Sequence, residues 1–342
     1  KPATVTSYVT EACFHHMIDS GLLPEGAVQL LCGGTGDILD RLTPQDVVSF
    51  TGSADTALML RQNPNLMRYS VPFVAEQDSL NASVLGRDVT TDMPEFDLFV
   101  SEVYREMTAK AGQKCTAIRR IFVPGELISD LSEALSAKLA SIAIGDPSKK
   151  ETQMGPVVSQ SQRDSVAQTV DLLKKEAQVV SGNVTTAPDA TTWEAGAFVA
   201  PTLLQCNDPD AAQHVHEKEA FGPVSTLMAY RDTDHACELL ARGGGSLVAS
   251  VITHDPDVAR DLAVGSAAWH GRIYINDRES MKESTGHGSP LPHMVHGGPG
   301  RAGGGEELGG IRAVKHYMQR TAIQGSPNMI STVGNTWVPG AS

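Results

Sequence analysis

A chain of 342 residues, 41% hydrophobic and 20% charged, has the composition of a globular protein and exceeds what one small core organises, so two domains are expected. Its net charge of −13 excludes nucleic acid and anionic membrane surfaces as general partners, because both are gripped through basic surface; a local basic pocket for a phosphorylated small molecule stays open. Cys13, Cys32, Cys115, Cys206 and Cys237 are odd in number and lack paired spacing, which reads as a reducing, cytoplasmic setting with neither a disulfide framework nor a zinc signature. No apolar run approaches the roughly 18 residues of a membrane span. The chain opens on Lys1 rather than methionine, and an N-terminal portion is expected to precede it.

Residues Ser7 to Ser20 predict a helix with Val9, Ala12, Phe14, Met17 and Ile18 on an apolar face, stopped by Gly21. Ala27–Leu31 predicts a strand, Gly33–Gly36 a tight turn and Asp37–Leu42 a short helix. Val47–Phe50 predicts a buried strand, Ala54–Arg61 a helix and Val71–Ala75 a further strand, weakened by Pro72. This alternation is the mark of a parallel sheet wrapped by helices. Helices are then expected over Glu95–Ala111, with Phe99, Val103 and Met107 on one stripe, over Leu127–Ile144 and over Ser161–Ala177, with strands near Ile121, Val199, Leu203, Val224 and Val248. Residues Asn183–Glu194 read as a polar loop in which Trp193 packs. The glycine-dense stretch from Gly286 to Gly310 reads as a loop pressed against other backbone rather than a linker, because Val314, Tyr317 and Met318 follow as structured sequence.

The chemistry concentrates in Ala111–Arg120. Cys115 follows a small flexible run and precedes an extended segment, Ile121–Pro124, so its sulfur can face a cleft; Lys114, Arg119 and Arg120 would favour the thiolate. A buried structural cysteine is the competing reading. Glu76, at a strand end, is open between a general base and a solvated carboxylate. His287, His293 and His296 read as loop packing rather than metal ligands, since no carboxylate or thiol pattern accompanies them. His214, His216 and Glu217 are expected to face solvent and His15–His16 to lie on a helix surface.

Five stretches in order, Lys1-Pro2-Ala3, Phe50-Thr51-Gly52-Ser53, Glu76, Gly112-Gln113-x-Cys115 and Glu219-Ala220-Phe221-Gly222-Pro223-Val224, resemble the NAD(P)-dependent aldehyde dehydrogenases from Lys1 to about Gln324. Glu76–Asn81, Gly112–Arg120, Glu283–Pro290 and Val295–Gly310 resemble one branch, the dehydrogenase part of the bifunctional proteins of phenylacetate degradation, with the semialdehyde dehydrogenase of the benzoyl-CoA pathway as a near relative. The resemblance implies an α/β, aldehyde-dehydrogenase-like fold whose N-terminal part is missing. Residues 1–78 would be the C-terminal part of a Rossmann-type cofactor domain, 79–312 the catalytic domain, 313–327 an oligomerisation arm and 328–342 a linker or tail.

It implies roles as well. Cys115 would be the nucleophile and Glu76 the base that hydrolyses the thioester. Glu219 would bind the nicotinamide ribose, Phe221 would pack beside the cofactor, and Gly52 and Ser53 would admit the pyrophosphate at a helix N-terminus. Thr4 stands where many members carry a glutamate that holds the adenosine ribose and repels an added phosphate; with Lys1 beside it, NADP is expected over NAD. The implied substrate is a CoA-linked semialdehyde of the 3-oxo-5,6-dehydrosuberyl-CoA type. The implied assembly is a homo-oligomer built on dimers, reached through the strand-like segment His316–Ile323, and an enoyl-CoA-hydratase-type domain could follow Ser342. An acylating dehydrogenase that hands the thioester to CoA, or a non-catalytic assembly piece, are the alternatives; Glu76 argues against the first. The chain departs from the family pattern at Ala57, where a second glycine is usual. The family's oxyanion asparagine would precede Lys1. Gly34-x-Gly36 is not a dinucleotide fingerprint, since Leu39 fills the last glycine position.

Overall fold

The protein is described from a computed structural model that covers residues 3–184, 196–308 and 310–342; Lys1 and most of the loop around Trp193 lie outside them. Two sheets organise the chain. The smaller pairs β1 (Val48–Thr51) with β2 (Phe73–Glu76) in parallel, with Val48 opposite Phe73 and Thr51 opposite Glu76. Between them run α2 (Ala54–Arg61) and the short α3 (Pro64–Arg68). Ser53 starts α2 as its N-cap, its hydroxyl accepting the Thr56 N–H, which satisfies a donor the first turn leaves unpaired. Pro72 falls just outside β2, so the strand loses no ladder hydrogen bond to it. The helix predicted at the start forms as α1 (Ser7–Asp19).

The larger sheet has seven strands: β3 (Ala82–Leu85), β4 (Arg120–Pro124), β5 (Gln178–Ser181), β6 (Thr202–Cys206), β7 (Val224–Tyr230), β8 (Ser246–Ile252) and β9 (His270–Asn276), in the spatial order β5-β6-β7-β4-β3-β8-β9. All neighbours are parallel except β5 and β6. Every residue of β3, β4 and β8 is buried, as expected of parallel strands covered on both faces. One face packs Phe122, Leu204, Met228 and Val251 against α6 (Gln160–Leu173) and the helix Thr233–Ala241; the other packs Ile121, Val123, Leu227 and Ile252 against α4 (Pro94–Thr108) and α5 (Ile128–Ala140). In α4 the buried Phe96, Phe99, Val100, Val103 and Met107 recur at helical spacing, and Pro94 begins the helix where its missing N–H costs nothing.

Several expectations are corrected. Ala27–Leu31 forms no strand: it has no neighbour to pair with among the described residues, and an unpaired ladder is not a strand. His316–Ile323 is likewise not extended sheet; a helix covers Ile311–His316 and irregular backbone follows. Val199 lies before β6 rather than in a strand. His216 does not face solvent: it is buried, with Nε2 3.0 Å from the Pro209 carbonyl and Nδ1 3.2 Å from Arg120, and burial pushes its pKa down to about 4.

Candidate active site

The chain passes from the small sheet to the large one through Gln77–Asn81, and this crossing puts Glu76 at the seam. Three contacts fix it there. The Gly52 N–H donates to the Glu76 carbonyl at 3.1 Å, the Gln77 N–H donates to the Ala302 carbonyl at 3.1 Å, and Thr51 pairs with Glu76. The glycine-dense loop is pressed onto this strand, as the sequence suggested. Gly303 has φ +105°, and a Cβ there would collide with the Ala75 carbonyl, so only glycine admits the approach.

Cys115 sits on the turn between α4 and β4. The turn is held from two sides. Asn81 donates its amide to the Cys115 carbonyl at 2.7 Å and the Ala117 carbonyl at 3.1 Å. Arg119 donates to the Gly112 carbonyl at 2.8 Å and the Gly222 carbonyl at 2.7 Å, and pairs with Glu219 at 3.2 Å, so it ties the cysteine turn to the Glu219–Gly222 loop. Gly112 has φ +68°, and a Cβ there would overlap Gly222.

The flanking cations are engaged by other partners. Lys114 is paired with buried Glu106 at 2.6 Å, Arg119 with Glu219, and Arg120 is spent on the carbonyls of Leu80, Leu239 and Leu240. Burial first, and the Glu76 carboxylate second, push the Cys115 thiol up to about 12. The expectation that these cations favour the thiolate is not met: burial and the Glu76 carboxylate outweigh them.

Two cavities meet at Cys115. One, of about 480 Å³, is lined by Gly52, Ser53, Glu76, Cys115, Glu219 and Phe221, among others. The other, of about 320 Å³, is lined by Lys110, Gln113, Lys114, Cys115, Thr116 and His296, with Gly288 and Pro290. Both volumes fall in the range of small-molecule sites. In the first, Glu219 accepts the Ser79 N–H at 3.2 Å, and burial raises its pKa while Arg119 opposes the rise; the Phe221 ring lies 5.5 Å from the Arg119 guanidinium. At the start of α2, Asp78 accepts the Ala54 N–H at 2.9 Å and pairs with Arg301 at 3.3 Å, so one of the N–H groups expected to face pyrophosphate is already engaged. Thr4 is exposed, opens a short 3₁₀ turn ahead of α1, and is not among the residues lining this cavity.

The family model for the aldehyde dehydrogenase family matches residues 1–323. The chain belongs to the aldehyde dehydrogenase family. It is 44% identical over 303 residues to a 3,4-dehydroadipyl-CoA semialdehyde dehydrogenase from Aromatoleum evansii, covering 87% of this chain and 58% of that one. It is 54% identical over 189 residues to Protein MaoC from Klebsiella aerogenes, covering 55% of each. Among solved structures, betaine aldehyde dehydrogenase from Staphylococcus aureus in complex with NAD+ superposes with a TM-score of 0.75 at 25% identity, over 89% of this chain and 56% of that one. The chain thus spans little more than half the length of these relatives.

Within this aldehyde dehydrogenase fold, Cys115, Glu76, Gly52, Ser53, Glu219 and Phe221 are brought to one cavity. Two site residues escaped the sequence reading. Asn81 sits in a polar run, Gln77-Asp78-Ser79-Leu80-Asn81, that looks like surface but is buried where the chain enters β3. His296, read as loop packing, lies against both Cys115 and Glu76; its neighbours Gly297 and Gly298 were the available hint that its backbone is clamped. A Glu76 carboxylate oxygen, the Cys115 sulfur and a His296 ring nitrogen all lie within 4.8 Å of one another.

Proposed function

We propose that the intact protein oxidises a CoA-linked aliphatic semialdehyde to its carboxylate with a nicotinamide cofactor, through a thioester on Cys115. The observation that carries the reading is the placement of one sulfur at the junction of two cavities with Glu76 beside it. The substrate class follows the name of the 44% identical relative and suits an aldehyde arm entering by the 320 Å³ cavity.

The chain's own residues divide the work. Cys115 attacks the aldehyde carbon and forms a thiohemiacetal. Glu219 and Phe221 would hold the nicotinamide ribose and ring edge, and Gly52 and Ser53 the adjoining phosphates. When bound, the nicotinamide supplies the hydride acceptor. Glu76 then takes a proton from the water that cleaves the thioester. A glutamate in this position separates hydrolysis from transfer to free CoA and favours the carboxylate as product. We take NADP as the preferred cofactor, with NAD also accommodated, because Thr4 brings no negative charge. We also propose a homo-oligomer built on dimers, with residues 313–327 as its arm, because Val314, Tyr317, Met318 and Ile323 stand exposed there.

Two variants of the intact protein test the chemistry. Cys115→Ala should lose aldehyde oxidation by on the order of 10⁴-fold or more while still binding cofactor. Glu76→Gln should release one hydride equivalent per site and then stall, its steady state down by about 100-fold or more. Steady turnover in the cysteine variant would sink the assignment of the nucleophile.

A further inference from the structure

We propose that His296 is a catalytic residue whose Nε2 takes the thiol proton of Cys115 and holds it against the Glu76 carboxylate while sulfur attacks. The inference rests on Cys115 as nucleophile and Glu76 as hydrolytic base. The geometry puts one nitrogen against both groups, which also touch each other through a thiol–carboxylate hydrogen bond: Nε2 lies 3.9 Å from Cys115 Sγ and 3.3 Å from Glu76 Oε2, and the His296 side chain is 14% exposed. The imidazole is presented from a fixed backbone. Val295–His296 pairs with Glu307–Leu308, and a Cβ at Gly297 or Gly298 would strike the carbonyls of Gly305 or Ser246.

The charge arrangement says why a base is needed here. Burial, Glu76 and Glu219 all disfavour negative charge on Cys115, and the neighbouring cations do not outweigh them: Lys114 is held by Glu106 of α4, Arg119, which also acts on the sulfur through space, by Glu219, and Arg120 by backbone carbonyls. An imidazolium at His296 would place a positive charge between two anions. If Glu76 took the thiol proton instead, it would become a neutral acid and would have to lose that proton before activating water. Use of His296 leaves Glu76 ionised for its own step.

The step balances. The S–H bond breaks with its pair left on sulfur, and the Nε2 lone pair forms the new N–H bond. The sulfur pair then bonds to the aldehyde carbon, and the carbonyl pair moves to oxygen. When the thioester is hydrolysed, the departing thiolate takes the same proton back from Nε2, so His296 ends each cycle neutral.

The test is alkylation of Cys115 by iodoacetamide in the intact protein, followed by mass spectrometry, together with the pre-steady-state hydride burst. His296→Gln keeps a hydrogen-bonding side chain but cannot carry the proton. Its alkylation near neutral pH and its burst should both slow by about 100-fold, and the gap in alkylation should close as the pH is raised. His296→Ala should regain alkylation when imidazole is added. Glu76→Gln should still give a burst, and a faster one than His296→Gln gives. Wild-type rates in His296→Gln, no rescue in a folded His296→Ala, or a burst lost in Glu76→Gln but kept in His296→Gln would each overturn the proposal. Failure of the underlying reading looks different: Cys115→Ala would retain its burst.

Discussion

In residues 3–46 Val5, Tyr8, Val9, Met17, Ile18, Leu22, Val28 and Leu31 all stand exposed and α1 buries no side chain, whereas every residue of β3, β4 and β8 is buried. No residue of 3–46 lines either cavity, and the two sheets that build the site do so on unequal terms. The cysteine turn is fixed by the larger sheet and by side chains that reach it from that sheet, Asn81 and Arg119. The cofactor side rests on two short strands, one capped helix and the glycine loop. Helix stability comes mainly from packing an apolar face, and α1 has no such packing among the described residues. The geometry of the cysteine turn is therefore held by a seven-stranded buried sheet, and that of Gly52 and Ser53 by a two-stranded one.

Hydrogen exchange would break or sharpen this contrast most directly. Amides of β4 and β8 should exchange only through global unfolding, a difference of about 5–15 kcal/mol for ordinary domains. Amides of α1 and of residues 20–46 should exchange through local opening at close to zero cost. Protection of α1 equal to that of β8 would show that the first region is stabilised by something other than burial.

A smaller effect probes the well-packed region at its weakest point. Glu102 on α4 is buried, its Oε1 has no hydrogen-bond partner, and burial raises its pKa to about 7. The folded state therefore prefers the protonated acid. The stability this provides is complete below the unfolded carboxylate range near 4.5 and is lost as pH rises through about 7. Glu102→Gln should raise the melting temperature at about pH 8, by at most a few kcal/mol of stability, and change little at about pH 5. An equal shift at both values would mean that Glu102 acts through packing rather than ionisation.

Legibility in the sequence followed the same divide. The stripe Phe99, Val103 and Met107 and the apolar runs around Ile121, Val224 and Val248 were readable because burial writes a regular pattern. β3 was not: Ser83 is hidden by its hydrogen bond to Ser250, and Asn81 by four bonds that no spacing records. Ala27–Leu31 and His316–Ile323 looked like strands because propensity reports what a segment can pair as, not whether a partner lies beside it. At the site, Cys115 and Glu76 were readable through the motifs that surround them. The ionisation of Cys115 was not, because whether Lys114 and Arg119 serve the sulfur depends on Glu106 and Glu219, both distant in sequence or on another element. His296 escaped for the same reason: its partners arrive from β2 and from the turn before β4.

The smallest expected effect belongs to the exposed region, at Thr4. A carboxylate there and a cofactor phosphate at about 4 Å would repel by about 4 kcal/mol at an effective dielectric near 20. Thr4 is exposed, so solvent and salt reduce this to about 1 kcal/mol, close to tenfold in an equilibrium. Thr4→Glu in the intact protein should therefore move the ratio of kcat/KM for NADP over NAD toward NAD by about tenfold. The hydride burst at saturating cofactor should stay unchanged, because Thr4 lines neither of the cavities that meet at Cys115. If the regions are as separable as their packing suggests, the change falls on KM alone. A wild type that already prefers NAD would show that Thr4 does not set the choice, and an altered burst would show that the first region reaches the sulfur after all.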